Sequence, residues 1–188
     1  AGDTMIRDVR VSAEPQGDGW NIKSLAAVLP GRATVEANGA LATAGELGFK
    51  GNLLLAVAQP SGFMAWLSKD VDEAIRRLPA AGFSADVDLS PRRQHFGNLE
   101  LRLGAAKFRG EVDSRRPADA RPTLLVRLDG GAVDFDGLSA FASLFVSEQG
   151  GNRFSGTDLD LAIKAGPVAI AGLQAESLDT AVRLREGT

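Results

Sequence analysis

Between Gly97 and Val112 apolar and polar side chains change places at nearly every step. Leu99, Leu101 and Leu103 alternate with Asn98, Glu100 and Arg102; past Gly104-Ala105, the residues Ala106, Phe108 and Val112 alternate with Lys107, Arg109 and Glu111. Strand side chains point to opposite faces with period two, so this rhythm predicts two strands, each dry on one face. A tight turn at Gly104-Ala105 folds them into an antiparallel pair with both dry rows on one side. Gly110, on the dry side, reads as a bend, a bulge or a close backbone contact. Residues 158–172 repeat the rhythm, with Leu159 and Leu161 in the dry row and Gly166 and Gly172 spaced like Gly104 and Gly110.

The same alternation predicts strands over residues 5–13, 33–41, 83–89 and 123–129, the last with Leu124, Val126 and Leu128 dry. Residues 20–29 are apolar enough for a strand but alternate less cleanly, and Pro30-Gly31 ends them. Asn38-Gly39 is a hairpin dipeptide, yet the rhythm continues in phase through Leu41, which places Gly39 inside one strand or at its kink. Residues 51–58 carry Leu53, Leu55 and Val57 on one face and Leu54, Ala56 and Ala58 on the other, predicting a strand covered on both sides. At Pro60-Ser61 the period changes. Phe63, Trp66 and Leu67, then Val71, Ala74, Ile75 and Leu78, stand at helical spacing and predict lids on the sheet, with Trp66 buried against it. Asp134-Phe135-Asp136-Gly137 opens a further short helix with Leu138, Phe141 and Phe145 on one face, and a Gly150-Gly151-Asn152 loop leads to the last strands.

The two halves repeat this plan, with helix starts near 61 and 136 and a period of roughly 70 to 75 residues, too long for the common solenoids. The chain divides into units at 18–80, 81–150 and a partial 151–188, all of one larger repetitive β-domain. With 188 residues, 44% hydrophobic and 24% charged, it is a folded chain rather than a disordered one. A net charge of −3 predicts no nucleic-acid partner. The lack of cysteine excludes disulfides and thiol chemistry. No apolar run approaches the ~20 residues of a membrane-spanning helix, and there is no signal peptide. The Ala1-Gly2 start and the strand-like Ala181-Val182-Arg183-Leu184 end read as the borders of a fragment cut from a longer protein.

Leu-Pro-Gly at 29–31, Gly48-Phe49-Lys50-Gly51, the run from Leu53 through Gln59-Pro60-Ser61 into Ala65-Trp66-Leu67, and the run 99–110 together resemble the AsmA-like family. Asp134-Phe135-Asp136-Gly137-Leu138, with Val133 and Phe135 in the apolar places, is similar to that family's Leu-Asp-Leu-Asp-x-Leu run. The resemblance covers most of the chain and describes a fold rather than a chemistry. It implies a mainly β fold with short α elements: a curved antiparallel repetitive sheet, groove- or taco-like, plugged or capped by helices. It also implies a periplasmic protein of the Gram-negative envelope, held in the inner membrane through a segment absent from this sequence, and taking part in phospholipid passage and outer-membrane homeostasis.

Candidate chemistry is thin. His95, the one histidine, stands beside the polar Pro91-Arg92-Arg93-Gln94 stretch, where an exposed loop is expected and no Ser-His-Asp triad. Asp86/Asp88, Asp134/Asp136 and Asp158/Asp160 read as wet strand faces and a helix N-cap rather than metal ligands. Arg92-Arg93 and Arg115-Arg116 read as solvated loop charges. No catalytic residue, metal or cofactor is expected, and the function expected is the binding and transfer of phospholipid or another acyl lipid. The expected groove is lined by Leu53, Leu55, Val57, Leu99, Leu101, Leu103, Phe108, Leu124, Val126, Leu128, Leu159 and Leu161. Adjoining repeats of the same chain are the second expected partner. The alternative is a structural scaffold or outer-membrane assembly factor whose apolar rows are its core.

Overall fold

A computed structural model describes residues 5–68, 71–145, 156–170 and 173–185. Eight strands follow one another as an antiparallel meander: β1 (Arg7–Gln16), β2 (Gly19–Leu29), β3 (Ala33–Ala42), β4 (Gly48–Val57), β5 (Ala81–Leu89), β6 (Arg93–Leu103), β7 (Ala106–Arg115) and β8 (Thr123–Gly130). Helices α1 (Pro60–Leu67) and α2 (Glu73–Arg76) lie between β4 and β5. After β8 come the two-residue β9 (Val133–Asp134), α3 (Phe135–Ser143), β10 (Asp158–Ala165), β11 (Val168–Ile170), β12 (Leu173–Ala175) and β13 (Leu178–Leu184). Strands β1 to β8, β10 and β13 make one open, curved ten-stranded sheet, and β12, β11 and β9 a small second one.

The fold is mainly β with short helices, as the alternation predicts, and its sheet is curved, as the resemblance implies. One junction departs from it: β10 pairs with β8 in parallel, Leu161 beside Val126. Parallel neighbours need a crossover, and β9 and α3, which lie over the sheet between β8 and β10 in the chain, are its described part. Each half is thus four strands followed by helix, but the first helical segment returns antiparallel and the second parallel. The Gly150-Gly151-Asn152 loop and Gly172 lie outside the described residues.

Register puts every dry row on one side. Leu101 pairs with Phe108 and Phe83, Phe83 with Leu55, Leu55 with Val35, and Val35 with Ala27. In the other direction Val112 pairs with Val126, Val126 with Leu161, and Leu161 with Val182. Directly opposed residues face the same way, so one apolar face runs across all ten strands and carries Leu99, Leu101, Leu103, Phe108, Leu124, Val126 and Leu128 together. The reverse face is laced by opposed charges: Glu100 with Arg109 at 3.2 Å, Glu111 with Arg127 at 3.2 Å, and Asp160 with Arg183 at 3.4 Å. A one-residue slip would bury these charges and expose the leucines, which fixes the register.

Two glycines are explained by strand contact. Gly39 (φ +148°) and Gly110 (φ +153°) sit inside β3 and β7, where an added Cβ would meet Lys50 O at 2.2 Å and Arg127 O at 1.9 Å. Gly39 is therefore an in-strand kink and no hairpin turn. Gly104 (φ +63°) makes the two-residue β6–β7 turn, at the first central position that a II′ turn reserves for glycine.

All three helices gather at one end of the sheet. Pro60, with no N–H to lose, starts α1. The Asp134 side chain caps α3 by accepting from Gly137 N at 2.9 Å. The buried side of this layer is Ile75, Leu78, Ala140 and Phe141, the last stacked on Phe108 with ring centres 4.9 Å apart. Trp66 is not buried against the sheet as its spacing predicts: it is 36% exposed and packs on Phe63, because the eight-residue α1 has room for one inward row and Phe63 and Met64 occupy it. Nor is β4 covered on both sides. Leu54 and Ala56 face solvent, since among the described residues no element packs on the charged side of the sheet.

Candidate functional site

The apolar face is one surface with two kinds of cover. Over β6 to β10 most of it is sealed, with Phe96, Leu101, Val112 and Leu161 left half-buried. Phe108 is 0% and Val126 1% exposed, and Leu99, Leu103, Leu124, Leu128 and Leu159 are buried with them in a single cluster with Val133, Phe141 and Val168. Gly137, at the start of α3, shows how closely the layer sits: a Cβ there would meet the Ala106 Cβ at 2.4 Å. Among the described residues, helix reaches β1 to β4 only at one end, where α1 packs on Gly31 and on the Val57 end of β4. Val11 is 57% and Trp20 43% exposed, while Leu25, Val35, Leu41, Phe49, Leu53 and Leu55 are half-buried. Ile22, Ala27, Ala33 and Ala37 are buried between their neighbours, but none of the β1 to β3 residues joins the central cluster.

The twelve expected groove residues divide along this boundary. Leu53, Leu55, Leu101 and Leu161 remain half-exposed. Val57 and Leu103 are buried and line the apolar cavity under α1 and α2, while Leu99, Phe108, Leu124, Val126, Leu128 and Leu159 are core, which corrects the expectation for them. The physical reason is the crossover: α3 and β9 lie across their row, and a period-two pattern carries no information about what lies above a face. Val11, Trp20, Val35, Phe49, Phe83 and Phe96 line the open part instead. Their strands are legible in the alternation, but their lack of cover is a tertiary fact.

The two regions meet at a cavity of about 120 Å³ lined only by apolar atoms, under α1 and α2 and over β4 to β6. Leu55, Phe63, Met64, Ile75, Phe83 and Leu101 are among its walls. It approaches the ~150 Å³ apolar cavity that stays dry and admits benzene, so it suits a few methylenes rather than water. Phe83 and Phe96, edge to face with ring centres 5.9 Å apart, continue the surface beyond it.

The polar candidates are accounted for within the sheet. His95 is in β6 and not in a loop. Its Nδ1 lies 3.4 Å from Asp113 Oδ1 without a hydrogen bond. Asp113, 12% exposed, accepts from Arg93 Nε at 2.9 Å and from Arg115 Nε at 2.7 Å. Burial pushes its carboxyl upward, but the two guanidinium hydrogen bonds and their charges outweigh it and hold the carboxyl below its ordinary range. Asp86 accepts from Asn52 and Asn98 at 2.5 Å each; Asp160 pairs with Arg183; Asp134 is a helix cap, and Asp136 follows it in the first turn rather than sharing a strand face with it. Among the described residues no group of three or more acidic or histidine side chains could hold a metal.

Among the described residues no helix is long and apolar enough to cross a membrane. No family model matches the chain, and no curated protein or solved structure is significantly similar to it.

Proposed function

We propose that this chain is a non-enzymatic acyl-lipid-binding segment of an AsmA-like envelope protein, working in the periplasm of a protein anchored in the inner membrane. Its lipid surface is the uncovered part of the apolar face, over β1 to β4, ending at Phe83 in the cavity under α1 and α2. One observation carries this reading: an apolar face continuous across ten strands is left open over its first four, with side chains as large as Val11 and Trp20 in water. Open apolar sheet of this extent calls for an occupant. An acyl chain is chemically suited, since each methylene leaving water gains about 0.8 kcal/mol and a flat apolar row asks nothing directional of it.

The sealed half supports the scaffold alternative for that half alone: Phe108, Val126 and Leu128 are packed as a core is. Native mass spectrometry of the purified chain, followed by lipid extraction, tests the proposal. Co-purified phospholipid, lost when Leu55 and Phe83 are both replaced by Asp in a chain that still folds, is the expected result. A folded chain that carries no lipid and takes none up from phosphatidylglycerol vesicles contradicts it.

A further inference from the structure

The cavity under α1 and α2 is walled on three sides. Leu55, Phe83 and Leu101, opposed in turn across β4, β5 and β6, form its floor. Phe63 of α1 and Ile75 of α2 roof it, and Leu144, at the end of α3, stands on the side of the core. Among the described residues no part of β3 walls it; Val35, opposed to Leu55 and half-buried, carries the floor outward onto the open face. Val11, Leu25, Val35, Leu55 and Phe83, one from each of β1 to β5, are all exposed or half-buried, so no sealed side chain interrupts the way in. From β1 to β5 are four strand spacings, about 19 Å, which exceeds the ~15 Å that an acyl chain spans in one leaflet of a ~30 Å hydrocarbon core.

The roof is tied down by backbone. Gln59 N donates to Gly31 O at 2.9 Å and Ala58 N to Arg32 O at 3.3 Å, and a Cβ on Gly31 (φ +75°) would meet Phe63 N at 2.3 Å. The first turn of α1 therefore lies directly on the β2–β3 turn, and the space beneath it, about 120 Å³, is bounded by fixed chain as well as by side chains. That volume takes the last few carbons of a chain and nothing larger. Its lining is apolar throughout and offers a polar group no donor or acceptor.

We propose that this cavity receives the methyl end of a single acyl chain, whose polar end stays over the open face toward β1. The site rests on the acyl-lipid reading above and adds to it an orientation and a substrate class: amphiphiles whose hydrocarbon end carries no polar atom. A hydroxyl at that end would lose its water in the cavity and find no partner, whereas on the open face it stays wet. Selection therefore acts on the far end of the chain.

Calorimetric titration of the whole chain tests this with two probes below their micellar concentrations, dodecanoate and its ω-hydroxy derivative. Wild type is expected to bind the hydroxy acid roughly tenfold or more weakly than dodecanoate. Ala81, opposed to Val57 and Leu103, lines the cavity, and Ala81→Leu fills it from the floor. In that variant the two probes are expected to bind within about threefold of each other, through loss of dodecanoate affinity. If Ala81→Leu does not give a cooperative melt, the smaller Ala81→Val is read in its place. Wild type that binds the hydroxy acid as well as dodecanoate overturns the methyl-end site and leaves the open-face lipid reading standing. A preference for dodecanoate that the filled variant keeps in full overturns it also, and marks the cavity as a packing gap. Wild type that binds neither probe overturns the acyl-lipid reading and this site with it.

Discussion

Strands β3 and β8 are written in the same rhythm and face the same way, yet the larger apolar side chain of one stays half-exposed while the dry row of the other is core. Val35 and Val126 occupy equivalent places in their rows, but Val35 is half-exposed and Val126 is sealed under the layer that contains α3. The difference lies wholly in what crosses above them. Alternation specifies which side of a sheet is dry; the connections decide whether that side becomes a core or an apolar surface.

The sharpest way to break this comparison is to place a charge at each of the two valines. Val126→Asp buries an unpaired carboxylate and is expected to cost on the order of 4 kcal/mol or more, abolishing the cooperative melt. Val35→Asp leaves its carboxylate in reach of water and is expected to keep the fold while losing lipid. Equal damage from both would show that the first half is covered in solution. Next in size, Phe108→Ala removes a ring at 0% exposure stacked on Phe141 and is expected to cost about 3–5 kcal/mol, whereas Val11→Ala stays within about 0.5 kcal/mol; urea melts compare them directly.

Trp66→Ala probes the boundary. Its side chain is partly in water, so a loss of about 1–2 kcal/mol is expected, below that of a core aromatic. A loss as large as that of Phe108→Ala would mean that α1 is integral to the core.

The smallest effect expected belongs to the charged side. Asp113→Asn leaves Arg93 and Arg115 opposed without their carboxylate, for a loss of about 1 kcal/mol at neutral pH. Because the native carboxyl is held low, this stabilisation is present above the ordinary aspartate range near pH ~3.9 and disappears as pH falls through the lowered value. Melts of wild type and variant should therefore converge in acid, and a gap that widens there would contradict the assignment. His95→Ala, which removes no hydrogen bond from Nδ1, is expected to change stability little.

Much of the fold was legible in the residues for local reasons. The turn at Gly104, the in-strand Gly39, the Asp134 cap and the inward faces of α2 and α3 each follow from conformational limits or periodicity within a few neighbours. The parallel β8–β10 junction was not legible, since nothing in residues 123–129 or 158–165 distinguishes a parallel from an antiparallel neighbour. That one junction turned Leu124, Val126, Leu128 and Leu159 from expected groove into core.

The central claim is that acyl lipid occupies the open half of the face and not the sealed half. Photocrosslinking from phosphatidylglycerol vesicles carrying a diazirine in the acyl chain, with labelled residues mapped by mass spectrometry, tests it most directly. The account predicts labels on Val11, Trp20, Val35, Leu55 and Phe83 and none on Val126, Leu128 or Leu159. A folded chain without labels, or one labelled equally on the charged side at Leu54 and Lys107, would contradict it.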